Sequence, residues 1–166
     1  MSNETIPLAK GFDITKLDFP VYLSEKLDGV PVRLTITLEN GAIRWTAVSR
    51  QGEVLPSVQP DMWKFVYGNT ARYADGYQYS FVFEVMHEEY AGFKDISGVV
   101  RRQSAQSGLT YHLFDYDVRP IGAERAAHFH YRIASVHPWW FPPKFSMIPQ
   151  VRYEGADTLQ DALDNT

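Results

Sequence analysis

From Val32 onward the chain alternates apolar and polar residues with a period of two. Val32, Leu34, Ile36 and Leu38 fall on one side, and Arg33, Thr35, Thr37 and Glu39 on the other. Successive side chains of a strand point to opposite faces, so this pattern predicts a half-buried strand with one face in a core. Asn40-Gly41 interrupts the alternation. Both residues tolerate the positive φ that a two-residue hairpin requires, and Ala42–Ser49 is predicted as the returning strand. A second apolar run, Gly76–His87, centres on Phe81-Val82-Phe83-Glu84-Val85-Met86 and predicts a buried strand carrying one carboxylate. Leu109–Val118 and Phe145–Tyr153 read as further strands.

Elsewhere the period lengthens to that of a helix. Pro56 to Tyr67 places Val58, Met62, Phe65 and Val66 on one face, with Gly68 as its stop. Ser97–Gln106 predicts a short helix, Gly122–Ser135 an amphipathic one, and Asp157 is expected to cap a last helix through Leu163. Residues 1–20 predict an extended lead-in with a helical turn around Ile14–Leu17, limited by Pro7 and Pro20, before a short strand at Val21–Ser24. Helices interspersed with hairpin-linked strands give an α+β fold of antiparallel sheets with flanking helices.

Composition narrows the function classes. The 166 residues suffice for one domain with a real core, and 45% hydrophobic and 14% aromatic content excludes a disordered tail. There is no membrane-length apolar run and no basic start leading into an apolar segment, so a soluble, cytoplasmic protein with no membrane partner is expected. The absence of cysteine excludes disulfides and thiolate metal sites. A net charge of −4 argues against a broadly basic nucleic-acid surface and leaves room only for a local patch.

Candidate chemistry gathers at Ser24-Glu25-Lys26-Leu27-Asp28-Gly29-Val30. A lysine amine attacks only when deprotonated, and Val21, Leu23, Leu27, Val30 and Val32 offer the apolar setting that lowers its pKa. Asp28-Gly29 is expected to form a tight turn that aims Lys26. Arg50 returns on the second hairpin strand to the end where Lys26 began; it is either a solvated strand-end arginine or a holder of ribose or phosphate. Glu84, a charge in an apolar strand, needs a partner: a structural arginine, or a ribose hydroxyl or metal ion. Arg101 and Arg102 are either solvated charges or phosphate contacts. Phe114 is either core or a surface on which a purine stacks. His128 and His130, two apart on a predicted helix, do not share a face, which argues against a metal pair.

These elements occur in a distinctive order: Pro7-Leu8-Ala9, Lys16-Leu17-Asp18-Phe19-Pro20, Lys26-Leu27-Asp28-Gly29, Ser49-Arg50-Gln51-Gly52, Phe83-Glu84-Val85 and Leu113-Phe114-Asp115-Tyr116. The series resembles the nucleotidyltransferase (adenylation) domain of ATP-dependent DNA ligases of the compact phage and bacterial kind, over almost the whole chain. The resemblance implies an ATP-grasp-like nucleotidyltransferase fold, ATP and Mg²⁺ as cofactors, nicked double-stranded DNA as partner, and a monomer. It implies Lys26 as the nucleophile that takes AMP, Asp28 and Gly29 as the shape of the motif turn, Arg50 on the ribose, Glu84 on the ribose or the metal, Phe114 on the adenine, and Arg101 and Arg102 on DNA. Many relatives carry arginine where Pro31 stands, which makes Arg33 the substitute candidate. The adenine-contacting glutamate of relatives falls at Ser24, with Glu25 adjacent. The family's later Glu-Gly motif and lysine pair have no match: Tyr153-Glu154-Gly155-Ala156 comes too early, and no lysine follows Lys144. The expectation is therefore a partial adenylation domain over 1–166, incomplete at its C-terminus, without the C-terminal OB-fold domain, and inactive or very weak by itself. An RNA ligase or capping-type nucleotidyltransferase, or a non-catalytic nucleotide- or DNA-binding remnant, are the alternatives.

Overall fold

A computed structural model describes residues 13–124 and 140–165 of the chain. It has the mixed α+β composition expected from the sequence and divides into two compact units. One holds residues 27–124 and 140–147; the other holds 13–26 and 148–165.

The larger unit is built on a five-stranded sheet. Its strands are β2 (Val30–Glu39), β3 (Ala42–Ser49), β4 (Tyr77–His87), β5 (Leu109–Pro120) and β6 (Phe145–Met147), in the order β3-β2-β4-β5-β6. The β2–β3 hairpin keeps the predicted bounds. Asn40 and Gly41 take φ of 52° and 77°, and the register runs from Glu39 opposite Ala42 to Val32 opposite Ser49. Pro31 lies outside the span paired with β3, so its missing N–H costs that ladder nothing.

One face of the sheet is the core. Val32, Leu34 and Ile36 of β2, Phe81, Phe83 and Val85 of β4, and Tyr111 and Leu113 of β5 are fully buried there. Two helices cover it. α1 (Gln59–Gly68) packs on β3 and contributes Met62, Phe65 and Val66, while α2 (Phe93–Val100) packs on β2 and β4 and contributes Ile96, Val99 and Val100. Phe65 is the hub, edge-on to Phe81 and Phe83 at 5.0 and 5.6 Å and against Phe145 at 4.9 Å. Edge-to-face pairs of this kind add about 0.5–1.5 kcal/mol each beyond the area they bury. The Tyr111 hydroxyl donates to Asp61 Oδ2 at 2.7 Å at the margin of this cluster. Burial, and then the Asp61 charge, hold that phenol well above its ordinary pKa.

In the smaller unit β1 (Val21–Leu23) pairs antiparallel with β7 (Val151–Tyr153). A 3-10 turn at Ile14–Lys16, capped by Asp13, and α3 (Ala156–Asp164) complete it.

Several predicted elements differ. α1 runs through Gly68, and Asn69 ends it by donating its side-chain amide to the carbonyls of Phe65 and Trp140. The helix expected at Ser97–Gln106 lies earlier, because the apolar stripe is Ile96, Val99 and Val100 and Gln103–Ser107 offers nothing to bury. The single strand expected at Phe145–Tyr153 is two strands in different sheets, broken at Ile148-Pro149-Gln150, where proline supplies no N–H. β6 runs parallel to β5, so the sheet is mixed rather than purely antiparallel. Gly155, not Asp157, is the N-cap of α3, and Asp157 sits inside its first turn. Gly122–Glu124 is turn and coil, with Gly122 at φ 85°; the rest of the helix expected there, with His128 and His130, lies outside the described residues.

Candidate functional site

The second face of the large sheet is polar, and at one end it collects the residues singled out above. Cross-strand partners share a face. Pro31 of β2, Glu84 of β4, His112 of β5 and Ser146 of β6 therefore form one row, and Val48, Arg33, Val82 and Asp115 form the next. Much of this face is buried despite its charges. Arg33, Asp115, Asp117 and Arg119 are all at most 9% exposed, and Arg119 lies 3.6 Å from Asp117. Charges of both signs share the face, which is what lets them be buried together.

Glu84 is half-buried, and its Oε1 accepts the Gly29 N–H at 2.9 Å. The partner that an acidic residue in an apolar strand requires is thus, at least in part, a backbone amide of the lysine motif. Gly29 sits at a bend just before β2 and is not one of the glycines with positive φ. Its value lies elsewhere than in the tight turn expected of Asp28-Gly29: a Cβ there would run into the Val85 carbonyl and stand 2.7 Å from Met86 Sδ. Glycine is needed because the backbone approaches β4 too closely for any side chain.

Arg50 follows Ser49, whose register partner Val32 lies two residues from the start of β2. A closed loop holds it there: Ser49 donates to the Glu53 carbonyl, Gly52 donates back to Ser49, and Gly52 takes φ 84°. The Arg50 Nε is shielded from solvent and has no hydrogen-bond partner among the described residues. A buried guanidinium N–H without an acceptor is costly, and an arriving phosphate or ribose oxygen would remove that cost.

Phe114 owes its position to a β-bulge. Leu113 opposes Phe83 and Asp115 opposes Val82, which leaves Phe114 as the extra residue. Bulges re-aim side chains, and Phe114 is half-buried and outside the aromatic cluster of the core among the described residues.

Other candidates stand apart from these rows. Arg101 and Arg102 lie beyond the last turn of α2, exposed: Arg101 is held by Ser97 Oγ at 3.1 Å and by Glu53 at 3.7 Å, and Arg102 by Gln106 at 3.0 Å. Glu25, Lys26 and Asp28 are exposed, so the apolar residues near Lys26 in sequence do not bury it. Glu25 and Lys26 belong to the smaller unit, whereas Asp28 and Gly29 belong to the larger. Among the described residues no group of three or more His, Asp or Glu side chains is arranged to hold a metal ion, and no helix is long and apolar enough to cross a membrane.

His112 was missed by sequence reasoning. A lone histidine in Tyr111-His112-Leu113 carries no local motif. The available signal was its place on the polar alternation of a strand paired with the one that bears Glu84. Comparison with family models finds none that matches the chain, and comparison with curated proteins finds no match.

Proposed function

We propose that the chain is the adenylation domain of an ATP-dependent DNA ligase. The observation that carries this reading is the hydrogen bond from the Gly29 amide to Glu84, together with Arg50, one residue past the partner of Val32, whose Nε lacks an acceptor among the described residues.

In this reading Arg50 supplies planar donors to the ribose, and Glu84 accepts from a ribose hydroxyl or faces the metal. Phe114, turned out by the bulge, stacks on adenine. Mg²⁺ accompanying a triphosphate keeps several waters and takes only one or two protein carboxylates, so the lack of a multi-residue cage among the described residues is compatible with it, and Glu84 supplies one. When bound, the metal neutralises the triphosphate charge. Lys26 Nζ, having lost its proton, attacks the α-phosphorus; the bond to the β-phosphate oxygen breaks, pyrophosphate leaves, and AMP stays on the lysine as a phosphoramidate. Because Lys26 is exposed, the desolvation that lowers its pKa has to arrive with the nucleotide. AMP then passes to a DNA 5′-phosphate, and a 3′-hydroxyl displaces it to seal the nick.

The test is the first step. Incubation with ATP and Mg²⁺ is expected to add one AMP to the protein, read by intact mass. Labelling by GTP instead would move the reading to a capping-type enzyme, and sealing of nicked RNA but not nicked DNA would move it to an RNA ligase.

Phe114 gives a separate check. Phe114→Ala is expected to weaken ATP binding by about 1–3 kcal/mol, the scale of base stacking on an aromatic side chain, and Phe114→Tyr to be mild. Calorimetry showing full affinity in a folded Ala variant would return the ring to a packing role.

A further inference from the structure

The last residue of β4 is a histidine on the face away from Glu84. Strand side chains alternate, so His87 shares the side of Phe83 and Val85, and it opposes Leu109 at the end of the β4–β5 ladder. Both of its ring nitrogens are engaged. Nε2 lies 3.0 Å from the Ser107 carbonyl oxygen, and Nδ1 lies 3.0 Å from the Glu89 backbone nitrogen. A carbonyl only accepts and a backbone N–H only donates. The two partners therefore admit one form of the ring, neutral with its proton on Nε2. The ring has little room to turn. Tyr90 packs on it at 4.7 Å between centroids, and Gly108, at φ 81°, comes so near that a Cβ there would stand 2.7 Å from Nε2.

An imidazolium carries a proton on each nitrogen. Its Nδ1–H would meet the Glu89 N–H, donor against donor, so the charged ring cannot keep that contact, whereas the Nε2–H bond to Ser107 is compatible with either form. Among the described residues neither nitrogen has another hydrogen-bond partner. The ionisable side chains of the adjoining segments are Glu88, Glu89 and Tyr90 in the turn, Asp28 in the chain leading into β2, and Lys94 and Asp95 on α2, all of them exposed. The approach to β5 brings the uncharged Ser107 and Gly108, with Arg102 further back on Gln106. The neighbouring Glu88 amide donates to the Gly108 carbonyl at 2.8 Å and makes no use of the ring.

We infer that His87 is an acid-released latch on the turn between β4 and α2. The neutral ring ties the Glu89 amide to the Ser107 carbonyl across the end of the sheet. Protonation frees the turn from Glu89 to Gly92, the N-cap of α2, while the Glu88–Gly108 hydrogen bond keeps the strands paired. The turn is latched above the midpoint of the ring and released below it. The latch draws nothing from the nucleotide reading.

The experiment is an NMR pH titration of the ¹⁵N-labelled chain. Above the midpoint of the His87 ring protons, long-range proton–nitrogen correlations are expected to show the proton on Nε2. As the pH falls through that midpoint, protection of the Glu89 amide against hydrogen exchange, relative to an unstructured amide at the same pH, is expected to drop about tenfold, the scale of one hydrogen bond. Protection of the Glu88 amide is expected to hold, and His87→Gln is expected to remove the Glu89 transition. A proton on Nδ1 in the neutral ring, or a Glu89 amide equally protected on both sides of the midpoint, overturns the inference. Equal loss at Glu88 and Glu89 also overturns it, since that is fraying of the strand end rather than release of one contact. These wild-type readings decide the matter even where the variant does not fold.

Discussion

Lys26→Ala is expected to abolish transfer of AMP to the protein while leaving its melting temperature unchanged. The side chain is exposed and contributes nothing to either core, and exposed substitutions usually move stability by no more than about 0.5 kcal/mol. Chemistry is another matter, because a phosphoramidate needs an amine and alanine has none. Lys26→Arg is the sharper version: charge and length are nearly kept, yet a guanidinium stays protonated at working pH and has no lone pair for phosphorus. Both variants should show no AMP at position 26, because the group that forms the phosphoramidate bond is gone. Undiminished labelling of Lys26→Ala, with the modified residue mapped elsewhere by peptide mass, would remove Lys26 from the mechanism.

Gly29→Ala is expected to destabilise the fold strongly for a single added methyl group. The new Cβ would meet the Val85 carbonyl and Met86 Sδ, and a strand backbone cannot yield as a flexible side chain can. Overpacking of this kind costs about 1–3 kcal/mol, and the upper part of that range is expected where the obstacle is backbone. Relief by moving Gly29 away would break its hydrogen bond to Glu84, so the surviving folded protein should also bind ATP poorly. Gly98→Ala is the matched control. It lies inside α2, its Cβ would meet nothing within 4 Å, and it should stabilise by about 0.4–1 kcal/mol. Urea unfolding of the two variants reads the difference; equal midpoints would show that the close approach at Gly29 is not what requires glycine.

Legibility in the sequence followed locality. The β2–β3 hairpin was readable because alternation and Asn40-Gly41 are local, and β4 because an apolar run can only be buried. The partner of Glu84 was not readable: Gly29 comes to it through the pairing of β2 with β4, far apart along the chain. The bulge at Phe114 is invisible in Leu113-Phe114-Asp115, since it depends on what β4 sets opposite. Alternation leaves the direction of Arg33 open, and its burial depends on other charges that tertiary structure brings to the same face. Lys26 shows the converse failure: apolar neighbours in sequence leave it exposed.

The pairing of Val21 with Tyr153 has a consequence for timing during synthesis. A ribosome adding about 5–20 residues per second makes β7 several to tens of seconds after β1. Strands β2 to β5 emerge meanwhile, β3 beside the β2 just made, β4 also beside β2 but after β3 and a helix, and β5 beside β4. Pairings close in sequence form early, and those that enclose a long loop wait. The nascent chain therefore gains the sheet that bears Glu84 first, and closes last the unit whose described segments are residues 13–26 and 148–165.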